Sequence, residues 1–203
     1  PTANLASRRD VPFRGLTSVR GCYLVTVYSA ADPVDWAPRR VLVTGVTGSG
    51  KSTLVQRIGD RLGVPSTEMD ALHWGAGWQE RPEFRAEAAA LAARPAWVTE
   101  LQYTSKLGAL FLERADTLVW LDLPPRVSLT RLTVRTVRRR RRRERLWGVN
   151  VEPPLWTIAT DRDHIIRWGW RTRKNAAKRV PAYAVAHPLL RVVQLGSRRE
   201  VDA

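Results

Sequence analysis

The sequence predicts a three-layer α/β fold, with a five-stranded parallel sheet and helices on both of its faces. Three observations carry this. Short apolar runs suited to buried strands recur near 41–43, 64–69, 96–99, 117–123 and 190–195, with helical patterns between them. Strands alternating with helices pair in parallel and are covered on both faces. A complete glycine-rich motif joins the first of these strands to the first helix. Finally, 203 residues at 44% hydrophobic content suit one ordinary domain with a real core.

Residues 1–38 are punctuated by Pro12, Gly15, Gly21, Pro33 and Pro38 and show no long period. They read as a loosely ordered extension, with 22–28 (CYLVTVY) as a candidate short strand and no secretory-signal pattern. The domain proper spans 39–203. Val41 to Val43 form the first strand, ending at Gly45. A helix over 51–62 follows, with Leu54, Val55, Ile58 and Leu62 on one face and Gly63 at its end. A weaker strand lies at 64–69. A Trp- and Gly-rich loop leads to an Ala-rich helix over 82–93 that opens on Pro82. Strand three is 96–99, a helix covers 107–114, and strand four is 117–123. Pro124 and Pro125 open a long helix to about 145. Residues 146–156 are broken by Gly148, Pro153 and Pro154, and a further helix runs over 158–179. Strand five is 190–195, and Ser197 can cap a last short helix.

In such a sheet, ligands bind at the carboxyl ends of the strands. The sharpest signal lies there. Gly45-Val46-Thr47-Gly48-Ser49-Gly50-Lys51-Ser52 fits the phosphate-loop pattern G-x-x-x-x-G-K-[ST] in full, between an apolar strand and an amphipathic helix. The glycines allow a tight turn whose N–H groups point inward at a phosphate, and the helix start adds its positive dipole end. Residues 45 and 47–53, with Thr47, Ser49 and Thr53 among them, are therefore the candidate nucleotide cradle. Lys51 supplies a point charge for the β- and γ-phosphates, and the Ser52 hydroxyl suits Mg²⁺. Three carboxylates follow strands on the same edge: Asp70, Glu100 and Asp122. By pattern alone, Asp122 best matches an apolar run ending in Asp.

The loop GVTGSGKS, the strand end LDLP and the following RLTVR resemble adenylate-kinase-like P-loop kinases. The resemblance implies a P-loop NTPase fold and an Arg-rich helical lid. It also implies that Arg131 and Arg135, seven and eleven residues after Pro124, touch nucleotide phosphates. Their i, i+4 spacing puts both on one helix face. Over roughly 39–135 the chain is more closely similar to the bacterial topology modulation proteins, a small adenylate-kinase-related group. MDALHW matches that group's D-x-L-H-W, and AWVTELQY matches its acid-Gly-Asn-Tyr only at Glu100 and Tyr103. This likeness implies an acceptor site around Asp70, His73, Trp74 and Tyr103, and it favours Glu100 as the Mg²⁺-orienting acid. The AMP signature of true adenylate kinases is absent, so AMP is not carried over as acceptor.

The formal charge of +15 is concentrated: residues 126–179 hold 17 basic and 4 acidic side chains, a balance of +13. Arg131, Arg135, Arg138 and the rest of the run to Arg143 fall where a lid, about 135–156, is expected. Arginines there can close over a transferring phosphoryl group, so Lys51, Arg131, Arg135 and Arg138 are the expected catalytic cations. Arg162 and Arg167 only loosely match the arginines that follow the adenylate-kinase lid. No run of about 18 apolar residues is present, which excludes a spanning helix. The single Cys22 allows no internal disulfide and points to a reducing, cytoplasmic setting. Three scattered histidines give no metal-site spacing.

The expected function is transfer of the γ-phosphoryl group of MgATP to a nucleotide or other small acceptor. The alternative is a nucleic-acid-binding or regulatory ATP-binding protein using the basic segment, in which Trp147, Trp156, Trp168 and Trp170 interleave with arginines. A phosphate loop without turnover is a third option, opposed by the intact Lys51-Ser52 pair.

Overall fold

The computed structural model describes residues 26–202. The main sheet is parallel throughout and has six strands: β1 (Val27–Tyr28), β2 (Arg40–Gly45), β3 (Ser66–Thr67), β4 (Trp97–Glu100), β5 (Thr117–Leu121) and β8 (Arg191–Leu195), in the order β1-β8-β5-β2-β4-β3. A second, antiparallel ribbon pairs β6 (Arg145–Leu146) with β7 (Asn150–Val151). The helices are α1 (Lys51–Leu62), α2 (Met69–His73), α3 (Phe84–Ala92), α4 (Thr104–Leu107), α5 (Pro125–Arg142), α6 (Thr157–Thr160), α7 (Ile165–Thr172), α8 (Asn175–Ala186) and α9 (Arg198–Asp202).

The pleat explains the layers. Alternate residues of β2 face opposite ways. Leu42, with Leu118, Trp120 and Val192, packs against Phe84, Ala88, Val180 and Ala184 of α3 and α8. Val41 and Val43, with Val119 and Leu121, pack against Leu54 and Val55 of α1. Strands buried on both faces read as unbroken apolar runs, which is why β2 and β5 were plain in the sequence. No helix among the described residues is long and apolar enough to cross a membrane.

The predicted architecture holds, with corrections. The sheet has six strands rather than five, because Val27–Tyr28 pairs in parallel with Val192 and Val193. The candidate strand at 22–28 thus keeps its last two residues, while 22–25 lie outside the described residues. From there the chain is tied down: the Trp36 indole donates to Thr117 Oγ1 at 2.8 Å, and the backbone N–H of Arg40 donates to Asp116 at 2.8 Å. The strand expected over 64–69 shortens to Ser66–Thr67, because Met69 already begins α2. The helix expected over 107–114 ends at Leu107, where Gly108 takes a backbone conformation no helix accepts (φ 58°, ψ −136°), and turns follow. The helix expected over 158–179 is three pieces. The turn at 161–164, held by Asp163 N–H on Asp161 Oδ1, interrupts it, and His164 caps α7. The last piece, α8, passes through Pro181 to Ala186.

Candidate active site

The strand β2 delivers the chain to Gly45, and the phosphate loop wraps from there to the start of α1. Gly48 (φ 84°) is pressed against α5, so that a Cβ would sit 2.4 Å from the Ser128 carbonyl oxygen and 2.8 Å from Leu132 Cβ. Only glycine allows both that backbone conformation and that approach. Helix α7 closes over the same region: a Cβ on Gly169 would meet Leu132 at 2.5 Å and Thr47 at 3.8 Å. Lys51 folds back over the loop and donates to the Val46 carbonyl at 3.3 Å. Its depth pushes the ammonium pKa down, opposed by the nearby carboxylates of Glu100 and Asp70. Gly50 caps α1 with a left-handed backbone, so the first N–H groups of that helix have no side-chain cap and remain available to a phosphate.

The end of β4 places Glu100, 1% exposed, beneath this loop. Ser52 Oγ donates to Glu100 Oε1 at 2.6 Å, and the Met69 N–H donates to Oε2 at 3.2 Å. Burial raises the Glu100 pKa, while the Ser52 hydrogen bond and Lys51 pull it back. Asp122 is placed differently: its Oδ2 accepts from Gln194 Nε2 at 2.8 Å, on the far neighbour of β5. The apolar-run pattern that singled out Asp122 thus leads to a carboxylate occupied by a glutamine. Its competitor meets the motif serine.

Helix α2 sets Asp70 at the centre of the site. Asp70 is near enough to influence the ionisation of Lys51, His73, Glu100, Tyr103 and Arg135. Tyr103 donates its hydroxyl to Asp70 Oδ1 at 2.5 Å, and burial beside that carboxylate drives the phenol pKa up. Tyr103 itself has left-handed backbone (φ 53°), an uncommon state for a bulky residue and one that aims its ring back at α2. There it stacks on His73, with ring centres 3.9 Å apart and planes within 8°. His73 is 2% exposed; Lys106 Nζ lies 3.0 Å from its Nε2, and Glu80 Oε2 lies 3.8 Å from it. Lysine has only donors, so Nε2 accepts and the ring proton sits on Nδ1. Burial, then Lys106, hold the His73 pKa below its usual value.

Helix α5 contributes the arginines. Arg135 is half-buried, and burial and its neighbour Arg139 lower its pKa, opposed by Glu152, Asp70 and Glu100. Arg131 is half-buried and Arg138 is exposed. Glu152, 5% exposed, sits 3.9 Å from Arg139, and its carbonyl accepts from Arg140 at 3.1 Å. Beyond α5, the β6–β7 hairpin docks on the loop after α2. Asn150 Oδ1 accepts from the Trp78 N–H at 3.0 Å, and its Nδ2 donates to the Gly75 carbonyl at 2.8 Å. Trp78 meets Trp74 edge-on at 5.8 Å on one side and Trp147 at 5.7 Å on the other.

Lys51, Ser52, Glu100, Asp70, Tyr103, His73, Trp74 and Arg135 therefore converge at the carboxyl edge of the sheet. The structure also brings in Lys106, Glu80, Asn150 and Glu152, which the sequence did not single out. Each acts through a partner distant in the chain and carries no local spacing signal.

No protein-family model matches the chain, and no curated protein matches it. Among solved structures, it is similar to a shikimate kinase from Bacteroides thetaiotaomicron, at 18% identity over 82% of this chain and 93% of that one, with a TM-score of 0.46. It is similar to a gluconokinase from Sinorhizobium meliloti 1021, at 20% identity over 81% and 90%, with a TM-score of 0.45. A third, a sugar kinase from Janibacter sp. HTCC2649, is 20% identical over 75% and 98%, with a TM-score of 0.35. None of the three bears the name of the topology modulation group.

Proposed function

We propose that the chain is a small-molecule P-loop kinase of the adenylate-kinase-like kind, transferring the γ-phosphoryl group of MgATP to an acceptor bound beside α2. The observation that carries this is the 2.6 Å hydrogen bond from Ser52 Oγ to the buried Glu100 carboxylate. It pairs the motif hydroxyl with an acid delivered by a neighbouring strand, at the mouth of the loop that Lys51 covers.

The residues fit the implied Mg²⁺. Ser52 and Glu100 offer hard oxygens, and Mg²⁺ takes one or two protein oxygens and completes its shell with phosphates and water. Bound there with ATP, it would neutralise charge on the β- and γ-phosphates. The loop N–H groups, with Thr47, Ser49 and Thr53 beside them, hold the triphosphate. Lys51 and Arg135 oppose the charge that spreads over the transferring group, and Arg131 extends the same helix face. Arg138 is exposed and would have to swing inward to take its expected part. Asp70, His73, Trp74 and Tyr103 form the acceptor wall, and the 135–156 segment serves as the lid that excludes water.

Substituting Lys51→Ala is expected to abolish phosphotransfer and to weaken MgATP binding, measured by calorimetry. Unchanged affinity and activity would sink this proposal. One observation favours the second reading, a nucleic-acid-binding or regulatory ATP-binding protein. Trp156, Trp168 and Trp170 are exposed, with Arg171 and Arg173 lying over the last two rings. A cavity of about 690 Å³ beside them, lined by Leu129, Val134, Ile166 and Trp170, lies between α5 and α7 and not over the phosphate loop. Single-stranded DNA affinity that falls steeply with salt, without phosphotransfer, would support that reading instead.

A further inference from the structure

Helix α7 has two unlike sides. On one, Gly169 brings it against α5 and over the phosphate loop, where an added Cβ would sit 2.5 Å from Leu132 and 3.8 Å from Thr47. Beside that contact the two helices leave the open groove of about 690 Å³, and no residue of the phosphate loop lines it. Leu129, Val134 and Ile166 make its apolar wall, and the exposed Trp170 ring stands along it. Its charged lining is Arg162, Arg167 and Arg171, with no carboxylate among the lining residues.

These cations remain available to an anion. Arg162 has no ion-pair partner among the described residues. Arg167 donates to neutral groups, the Ile158 and Ala159 carbonyls, at 3.4 and 3.1 Å. Arg171 meets Asp163 at 3.0 Å, but both side chains are exposed, and an exposed pair holds its members weakly. Over 161–179 the balance is seven basic to two acidic side chains, or +5. The second acid, Asp161, accepts the Asp163 N–H.

The aromatic residues divide in the same way. Trp97 and Trp120 are buried, and Trp74, Trp78 and Trp147 meet edge-on around the loop after α2. Trp156, Trp168 and Trp170 are left exposed, and exposed apolar surface gathered in one region marks a binding face. Arg171 lies 5.2 Å from the centre of the Trp168 ring, and Arg173 lies 4.1 Å from that of Trp170. Flat rings set beside cations complement a molecule that is itself flat rings joined by negative charges. Unpaired bases supply the rings and the phosphodiester backbone supplies the charges. An acidic peptide would match the arginines but not the rings, and a duplex hides the faces of its bases.

We propose that the α5–α7 groove and the exposed tryptophans of α7 bind single-stranded nucleic acid, at a second site beside the phosphate loop and not in place of it. Bases stack on Trp170 along the groove, and Arg162, Arg167 and Arg171 take the backbone phosphates. This site does not depend on the kinase reading.

The test is fluorescence anisotropy of a labelled oligothymidylate titrated with the full chain at several salt concentrations. It is repeated with saturating MgATP, against the same Mg²⁺ without ATP. Micromolar or tighter binding is expected at about 50 mM salt, unchanged by ATP. Three phosphate contacts give a slope of about −2 in log affinity against log salt. Trp170→Ala should weaken binding about fivefold or more and keep that slope, whereas Arg162→Gln should make it shallower by about 0.7. Both side chains are exposed, and matched melting temperatures check that the variants fold. Absence of binding at low salt, affinity and slope unchanged in both variants, or displacement of the strand by ATP would each overturn the proposal. Equal affinity for polyglutamate, or for a dA·dT duplex of the same length, would overturn it too.

Discussion

Glu100, at the end of β4, ties the starts of two helices, α1 and α2, together. It takes the Ser52 hydroxyl and the Met69 amide on separate oxygens while buried beneath the loop. Glu100→Gln keeps the shape and removes the charge. It is expected to lower the phosphotransfer rate by about 10²–10³-fold and to weaken the dependence on Mg²⁺, read from steady-state kinetics at varied Mg²⁺. His73 makes a separate expectation. Its pKa is depressed in the folded chain, so below about pH 6.5 the unfolded chain takes up a proton that the folded chain refuses. The stability it contributes is therefore present above that pH and lost as the pH falls toward the depressed value. His164, depressed in the same direction by burial, adds to the loss. Melting temperatures measured between pH 8 and pH 5.5 should fall, and His73→Gln should flatten part of that fall; an unchanged slope would contradict it. At this scale the phosphate loop was legible because its residues are contiguous. Glu100 and Tyr103 needed the family resemblance, and the Lys106–Glu80 pair was invisible because its partners lie on different elements.

Elements were legible where one physical signal dominated. The buried strands β2 and β5 announced themselves as apolar runs, and α1 as an apolar face ended by Gly63, which takes the left-handed cap (φ 63°). Boundaries failed where local hydrogen bonds overrode the helical pattern, as at 161–164 and at Gly108. They failed also where tertiary packing carried α8 through Pro181. The contact of the phosphate loop with α5 is such a tertiary feature. Gly48→Ala would force a Cβ into the Ser128 carbonyl at a positive φ. It is expected to cost about 1–3 kcal/mol, seen as a lower denaturation midpoint, and to impair ATP binding. The β6–β7 hairpin supplies a further expectation. Asn150, 2% exposed, bridges the hairpin to the backbone of Gly75 and Trp78. Asn150→Ala leaves those groups without partners, at a cost of about 1–3 kcal/mol. Amide exchange should accelerate in 74–80 and 145–151 together, and acceleration in one segment alone would contradict the bridge.

For the whole molecule, the charge of +15 reads differently once it is placed. Nearly all of it falls in 126–179, and part of that is consumed internally. Arg139 is paired with Glu144 and Glu152, Arg171 with Asp163, and Arg140 and Arg167 donate to backbone carbonyls. What stays free and near the loop is a small set, Lys51, Arg131 and Arg135, suited to one triphosphate. The three-layer architecture was legible because alternation of strand and helix is a global pattern; the sixth strand was legible only as a candidate over 22–28, and its place in the sheet was not, because two paired residues make too little pattern. The most direct test of the kinase account is calorimetric titration of ATP into the natural chain with and without Mg²⁺, repeated with Lys51→Ala and Glu100→Gln. Mg²⁺-dependent binding that Lys51→Ala loses, and whose Mg²⁺ dependence Glu100→Gln weakens, is the expected result. Binding of equal strength in all three proteins, or none in the natural chain, would contradict it.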